Sequence, residues 1–319
     1  MKERILQELF KTSDARTSGV KLSERLGISR VAVWKHIKAL KESGVKIDST
    51  SKGYILNHKE DLLFPFCFEK YQDKVHFFPK ISTTMNTAKK MAKDDIKDLS
   101  VIIAQNQTEG RGRLNRKWIS SDGGLWFTLI LKPNLPPPLA YILNFAASLS
   151  LSQCLFNLYK INAKVKWPND LLIKNEKLAG LLSEMETEGD MLKFVNIGIG
   201  LNVNNNPKKH TPGSISIKNI LGRQVSRKKI LITFLSIFEK LYQDINHQKI
   251  DNKDIIDLWK KHTSTIGKYV SIETFGKTYQ GLAVDVDNNG ALLLQVDDNN
   301  DDNSIKKVIY GDCFYKGNN

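Results

Sequence analysis

Gln105-Asn-Gln-Thr-Glu-Gly-Arg-Gly-Arg113, running on to Arg116-Lys-Trp118, follows directly on the apolar run Val101-Ile-Ile-Ala104. The run reads as a strand, so the arginine cluster is the loop that leaves it. Gly110 and Gly112 let the backbone bend closely round a ligand, and Arg111 and Arg113 supply rigid forks of donors suited to carboxylates and phosphates. No Gly-Lys-Ser/Thr ending follows, which excludes a Walker loop, and the G-x-G-x-x-G fingerprint is absent too. Standing alone, a Gly-Arg-Gly-Arg string is more often a flexible basic turn, so the rest of the chain has to decide.

Around that loop, strand-like runs alternate with helical ones. Val75–Phe78, Leu125–Leu131, Val165–Trp167, Leu171–Ile173, Leu178–Leu182 and Val195–Val203 read as strands; Met85–Lys93, Leu139–Tyr159 and Arg227–Asn246 read as helices. The short step from Leu171 to Leu182 predicts a hairpin, so the domain is α/β with a mixed rather than purely parallel sheet.

Residues 1 to about 60 carry a different pattern. Ile5, Leu6, Leu9 and Phe10 recur at helical spacing; Val20–Leu26 forms a second helix closed by Gly27; Ser29 caps a third, Arg30–Ser43, with Val33, Ile37 and Leu40 facing inward. Arg30, Trp34, Lys35, Lys38 and Lys41 occupy its other face. Gly44 ends that helix, and Val45–Ile47 and Tyr54–Leu56 read as strands around a turn. This is the order of a winged helix-turn-helix, whose second motif helix enters the major groove. Ser29, Arg30, Trp34, Lys35 and Lys38 are the candidate DNA contacts, lysines on phosphates and Arg30 and Trp34 on bases. A small helical interaction domain with a solvated basic face is the plainer alternative.

Beyond Gly267, Tyr269–Phe275, Thr278–Val286, Ala291–Val296 and Ile305–Tyr310 look like short strands, with a hairpin turn at Asp287-Asn-Asn-Gly290. The acidic stretch 297–303 reads as a solvated loop, without EF-hand spacing. Expected domains are therefore 1–62, 63–266 and 267–319.

The 319 residues, 41% of them hydrophobic, suffice for two or three cores. Leu139 to Leu158 is interrupted by Asn and Ser, so it is expected to be a buried helix rather than a membrane span. The opening Met-Lys-Glu-Arg lacks an apolar signal region, and the two points together predict a cytoplasmic protein. Cys67, Cys154 and Cys313 lie far apart and are expected to be reduced, with no zinc or disulfide pattern. The net charge of +14 suits nucleic acid, nucleotide or an acidic protein.

Two more segments complete the set: Lys166-Trp-Pro-Asn-Asp170 with Lys177-Leu-Ala-Gly180, and Asn196-Ile-Gly-Ile-Gly-Leu-Asn202, whose strand glycines suggest close approach of a ligand or backbone. Singly each has a plain structural reading. In this order and spacing, with the arginine loop and the N-terminal winged helix, they resemble the biotin protein ligase family, closest to its bifunctional ligase and biotin-operon repressor members, over nearly the whole chain.

The resemblance implies an α/β multi-domain chain: an N-terminal winged helix-turn-helix, a central α+β ligase domain with a mixed sheet like that of class II aminoacyl-tRNA synthetases, and a small C-terminal SH3-like β-barrel. It implies that biotin and ATP, with Mg²⁺ on the phosphates, give biotinyl-5′-AMP, and that a lysine of a biotin carboxyl carrier protein then displaces AMP. Operator DNA and a homodimer loaded with biotinyl-AMP are the other implied partners. Lys177, Arg113, Arg116 and Asp170 take the catalytic positions. Thr83, Thr84, Met85, Gln107, Arg111, Gly112, Arg113, Lys177, Trp126, Thr128 and Gly180 take the biotin positions, and Trp118, Lys166, Asn169, Asn202 and Arg116 those of the nucleotide.

The chain departs from the pattern at one place. The family commonly shows Ser-Thr-Asn where this chain has Thr83-Thr-Met85, aligned on Ala88; alignment on the first Ser-Thr selects Ser82, Thr83 and Thr84 instead. A lipoate-type ligase and a metabolite-sensing repressor without transfer activity are the rival readings.

Overall fold

Three amphipathic helices open the chain: α1 (Lys2–Lys11), α2 (Gly19–Leu26) and α3 (Arg30–Glu42). Their apolar stripes converge on one core of Ile5, Leu6, Leu9, Leu22, Val33, Ile37 and Leu40. Ser18 and Ser29 cap α2 and α3 by accepting backbone N–H bonds, and Gly27 ends α2 in the left-handed conformation that a side chain resists. The wing is a hairpin of β1 (Ile47–Thr50) and β2 (Gly53–Leu56). It lies later than the expected Val45–Ile47 because Val45 is taken by the helical core, leaving Ile47 to start the ladder. A computed structural model describes residues 1–12, 16–57, 59–274, 276–296 and 304–316; the acidic stretch 297–303 lies outside them.

The central part comprises β3 (Val75–Ile81), α4 (Thr84–Met91), β4 (Ser100–Gln107), β5 (Leu125–Leu131), α5 (Tyr141–Tyr159), β6 (Lys164–Lys166), β7 (Asp170–Ile173), β8 (Glu176–Glu188), β9 (Met191–Leu201), α6 (Ile217–Leu221), α7 (Arg227–Asn246) and α8 (Asn252–His262). Its seven strands run in the order β3-β4-β5-β9-β8-β7-β6, with β3 and β4 parallel and the other pairs antiparallel, the mixed sheet expected. Helices α5, α7 and α8 cover one face. Helix α5 is buried over most of its length, with Gln153, Phe156 and Asn157 exposed near its end, and the span that contains it, Pro137–Tyr159, is the one helix among the described residues long and apolar enough to cross a membrane.

The last strands are β10 (Tyr269–Thr274), β11 (Lys277–Val286), β12 (Leu292–Gln295), β13 (Ile305–Val308) and β14 (Asp312–Tyr315), in the antiparallel order β13-β12-β11-β10-β14. Val270, Ile272, Ala283, Leu292 and Leu294 fill the inside. Strand β14 has no counterpart in the sequence reading, since Asp-Cys-Phe-Tyr lacks apolar alternation and is recruited by pairing with β10.

Arg227, at the first position of α7 and nearly buried, ties the N-terminal part to the centre. Its Nε and Nη2 each lie 2.8 Å from Asp61 Oδ2, and its Nη1 donates to Gln105 Oε1 and Gly124 O at 3.2 Å. Arg227→Met leaves the Asp61 carboxylate without its counter-ion. Because Asp61 keeps some contact with water, the cost is expected to be about 2 kcal/mol, below the range for fully buried pairs. Thermal unfolding should show a Tm lower by about 5 °C; an unchanged Tm would contradict this account of the junction.

Candidate active site

Strand glycines shape the floor of the site. Gly180 on β8 and Gly200 on β9 stand opposite one another in the ladder, and the indole of Trp118 lies across them. A Cβ on Gly200 would stand 2.5 Å from Trp118 Cε2, and one on Gly180 would stand 3.1 Å from Trp118 Cζ3. Only glycine admits so close an approach. The loop that carries Trp118 closes on itself through Trp118 N donating to Gly110 O and Gly112 N to Arg116 O, both at 2.7 Å.

Above this floor opens a cavity of about 390 Å³. Thr83, Thr84, Met85, Gln107, Arg111, Gly112, Arg113, Arg116, Trp118, Lys166, Asn169, Asp170, Lys177, Gly180 and Asn202 all line it, although they come from four strands, a helix and four loops. Ser82 does not. Trp126 and Thr128, expected in the wall, stand behind it instead: both are fully buried, Trp126 edge-on to Trp118 and Thr128 donating to Thr84 Oγ1 at 2.8 Å. Side chains of the outer layer screen them, with Met85 lying over Gly198, the ladder partner of Thr128.

One end of the cavity is neutral and polar. Thr83 caps α4, its Oγ1 accepting from Asn86 N at 2.9 Å. Thr84 donates to Gln107 Oε1 through its backbone N (2.7 Å) and Oγ1 (3.1 Å), and Gln107 Nε2 donates to Ser120 Oγ at 2.7 Å. These bonds orient the amide and the two threonines as a preset group of donors and acceptors.

The other end is cationic. Lys177, at the start of β8, has Nζ 2.7 Å from Asp170 Oδ1 and 5.3 Å from the centre of the Trp118 ring. Asp170 follows Asn169 out of the turn made by the cis Trp167–Pro168 peptide. Arg113 Nη1 donates to Gly311 O at 3.0 Å and to Asn169 Oδ1 at 3.4 Å, and lies 3.7 Å from Asp312. Arg116 Nη2 sits 2.6 Å from Asp312 Oδ2. Burial pulls the Arg113 pKa below its ordinary value, while the Asp312 and Asp170 carboxylates pull it back up. Arg111 pairs with Glu184 at 2.7 Å and reaches Asn86 Oδ1 at 3.3 Å. Lys166 Nζ lies over the Tyr315 ring, and Asn202 Oδ1 accepts from Asn205 Nδ2 at 2.9 Å.

Asp312 and Gly311 are site residues that the sequence reading missed. Gly311 has φ 146°, and a Cβ there would meet Ile272 Cγ2 at 2.5 Å, so the bend that delivers Asp312 to the arginines requires glycine. The Gly-Asp pair at the head of β14 was the available signal. His210, Thr211 and Ser214 complete the rim. Cys313 also lines the cavity, but burial pushes its thiol up to about 12, so it is inert as a nucleophile. Among the described residues no group of three or more His, Cys, Asp or Glu side chains gathers as if for a metal.

The second candidate surface is the outer face of α3. Ser29, Arg30, Trp34, Lys35 and Lys38 are all exposed, opposite Val33, Ile37 and Leu40, and Lys38 Nζ stands 5.6 Å over the Trp34 ring.

Known proteins align with all three parts. A profile described as the biotin/lipoate A/B protein ligase family matches residues 77–204, an HTH domain matches 2–55, and a biotin protein ligase C-terminal domain matches 265–316. The bifunctional ligase/repressor BirA of Bacillus subtilis is 33% identical over 92% of either chain, and that of Escherichia coli 29% over 88% of either. The biotin--[acetyl-CoA-carboxylase] ligase of Paracoccus denitrificans is 28% identical over 61% of this chain and 83% of its own. In three dimensions, the Aquifex aeolicus biotin protein ligase in complex with biotin and ATP superposes with TM-score 0.63 at 24% identity, over 76% of this chain and 98% of that one.

Proposed function

Since the chain belongs to the biotin/lipoate A/B protein ligase family, alongside its bifunctional ligase/repressor members, we propose that it activates biotin with ATP, transfers it to a protein lysine, and represses transcription when the adenylate is bound. The observation that carries this reading is one cavity with a preset Thr83–Thr84–Gln107 group at one end and Lys177, Arg113 and Arg116 at the other. A urea ring that both donates and accepts hydrogen bonds suits the first end. A carboxylate and an α-phosphate suit the second.

Two anions repel as they approach, so the first step needs fixed positive charge. Lys177, in the cationic end, receives the biotin carboxylate and the α-phosphate together, held in place by Asp170. A carboxylate oxygen attacks phosphorus, and the bond to the pyrophosphate oxygen breaks. Arg113, whose desolvation is already met by Asp312, and the half-exposed Arg116 stabilise the charge that develops on the leaving group. Mg²⁺ arrives with ATP as part of the substrate and shields its phosphates. Trp118 supplies an aromatic face for adenine, and Lys166, Asn169 and Asn202 border that end. In the second step the acceptor amine attacks the acyl carbon and AMP leaves. Asp170 is the carboxylate best placed to take the amine proton.

A lipoate-type ligase is the nearest enzyme alternative, and the polar threonine–glutamine end favours biotin over an apolar dithiolane. Incubating the protein with ATP, an isolated biotin-acceptor domain and either vitamin distinguishes them by mass. Addition of biotin alone supports the reading; addition of lipoate alone overturns it.

The acceptor is the biotin carboxyl carrier protein of a carboxylase, the second partner is operator DNA, and the protein works in the cytoplasm. Loading with adenylate promotes a homodimer that spans a two-fold operator. Strand β8 runs on past its pairing with β7, leaving 182–188 with an edge that no strand covers among the described residues, a surface suited to self-pairing. DNA titrations with biotin and ATP together should give tighter binding and a larger sedimenting species than either alone. If Lys35 and Lys38 each neutralise one phosphate, Lys35→Ala/Lys38→Ala should reduce the slope of log affinity against log salt by about 1.8. DNA affinity without salt dependence would contradict the repressor half of the proposal.

A further inference from the structure

Asn196 is fully buried in β9, and neither its amide nitrogen nor its carbonyl oxygen has a hydrogen-bond partner. A carboxamide left so exerts a standing penalty, and between Val195 and Ile197 an aliphatic side chain would serve packing better. Strand alternation puts Asn196 on the same face as Gly198 and Gly200, which line the cavity. Its ladder row, Glu184–Asn196–Ile130, adjoins the row Leu182–Gly198–Thr128. Between the cavity floor and that row stands Met85: a Cβ on Gly198 would lie 2.7 Å from its Sδ. Met85 is also the place where the family motif commonly carries asparagine. The carboxamide absent from α4 is present on β9, the strand that α4 packs against.

We infer that Asn196 is a specificity-determining residue for biotin, its carboxamide pairing with the ureido ring when the Met85 side chain turns off Gly198. The inference rests on the biotin reading given above and deepens it. A cyclic urea presents a carbonyl acceptor beside an N–H donor, and a carboxamide presents a donor beside an acceptor, so the two pair at two points. A dithiolane offers neither group. Methionine, unbranched and with three rotatable side-chain bonds, suits a cover that has to move.

The test uses the full chain with Asn196→Val and Asn196→Asp, measuring calorimetric affinity for biotin, 2-iminobiotin and lipoate together with the Tm of the free protein. Asn196→Val should weaken biotin binding about 100-fold, the loss of two hydrogen bonds, while the Tm holds or rises because an unpaired buried amide is gone. Asn196→Asp should prefer 2-iminobiotin, whose cationic guanidinium pairs with a carboxylate, over biotin. Parental biotin affinity in Asn196→Val, with or without a lowered Tm, overturns the inference and leaves the ligase reading standing. A parent chain that binds lipoate and not biotin overturns both.

Discussion

Lys177→Met should lower the single-turnover rate of adenylate formation about 10³-fold, a barrier higher by about 4 kcal/mol. The structure gives three reasons for so large an effect. Lys177 lines the cationic end of the cavity, where the carboxylate and the α-phosphate are proposed to meet. Its ammonium is aimed by two fixed neighbours, Asp170 at 2.7 Å and the face of Trp118 at 5.3 Å, and therefore needs little reorganisation during the reaction. Methionine keeps the unbranched stem that packs beside Gly180, so the change removes charge while the floor stays intact. A rate within tenfold of the parent, with Tm unchanged, would remove Lys177 from the chemistry.

Arg113→Gly should slow adenylate formation, since Arg116 alone is left to stabilise the leaving group, and should above all leave the adenylate that does form poorly held. Arg113 joins the loop to the turn before β7 through Asn169 and to the C-terminal sheet through Gly311 O and Asp312. Cutting these charge-assisted bonds is worth about 1.5–3 kcal/mol, or about 10- to 100-fold in the release rate of the intermediate. Biotinyl-AMP is a mixed anhydride, so the expected readout is free adenylate in solution and labelling of lysines on bystander proteins. Asp312→Asn should move the protein in the same direction, by less, because it weakens Arg116 but leaves the bond from Arg113 to Gly311 O. An unchanged lifetime of bound adenylate in Arg113→Gly would contradict the role given to the loop.

Much of this was legible from sequence where local chemistry dictates local structure. Ser29 and Gly27 mark helix ends through their own backbone preferences, and the hairpin between Leu171 and Leu182 follows from spacing alone. Lys177, Arg113 and Trp118 could be gathered because the short motifs that carry them resemble, in their order, those of the ligase family. What was hidden depends on contacts between distant segments. Strand β14 exists because β10 offers it a ladder, and Asp312 reaches the arginines only because Gly311 bends there. Thr128 and Trp126 were placed in the wall because the family resemblance puts them at biotin positions; it says nothing of whether Met85 or Trp118 lies over them. Asn196 was visible as a letter beside Gly198, but its unpaired amide is a property of the assembled sheet.

The central claim is that this cavity brings the biotin carboxylate to the α-phosphate of ATP. It is tested most directly by biotin-dependent exchange of radiolabelled pyrophosphate into ATP, which needs neither acceptor protein nor DNA. The account predicts exchange with biotin and MgATP, none with lipoate, and near-background exchange in Lys177→Met. Absence of biotin-dependent exchange in the parent protein would contradict it.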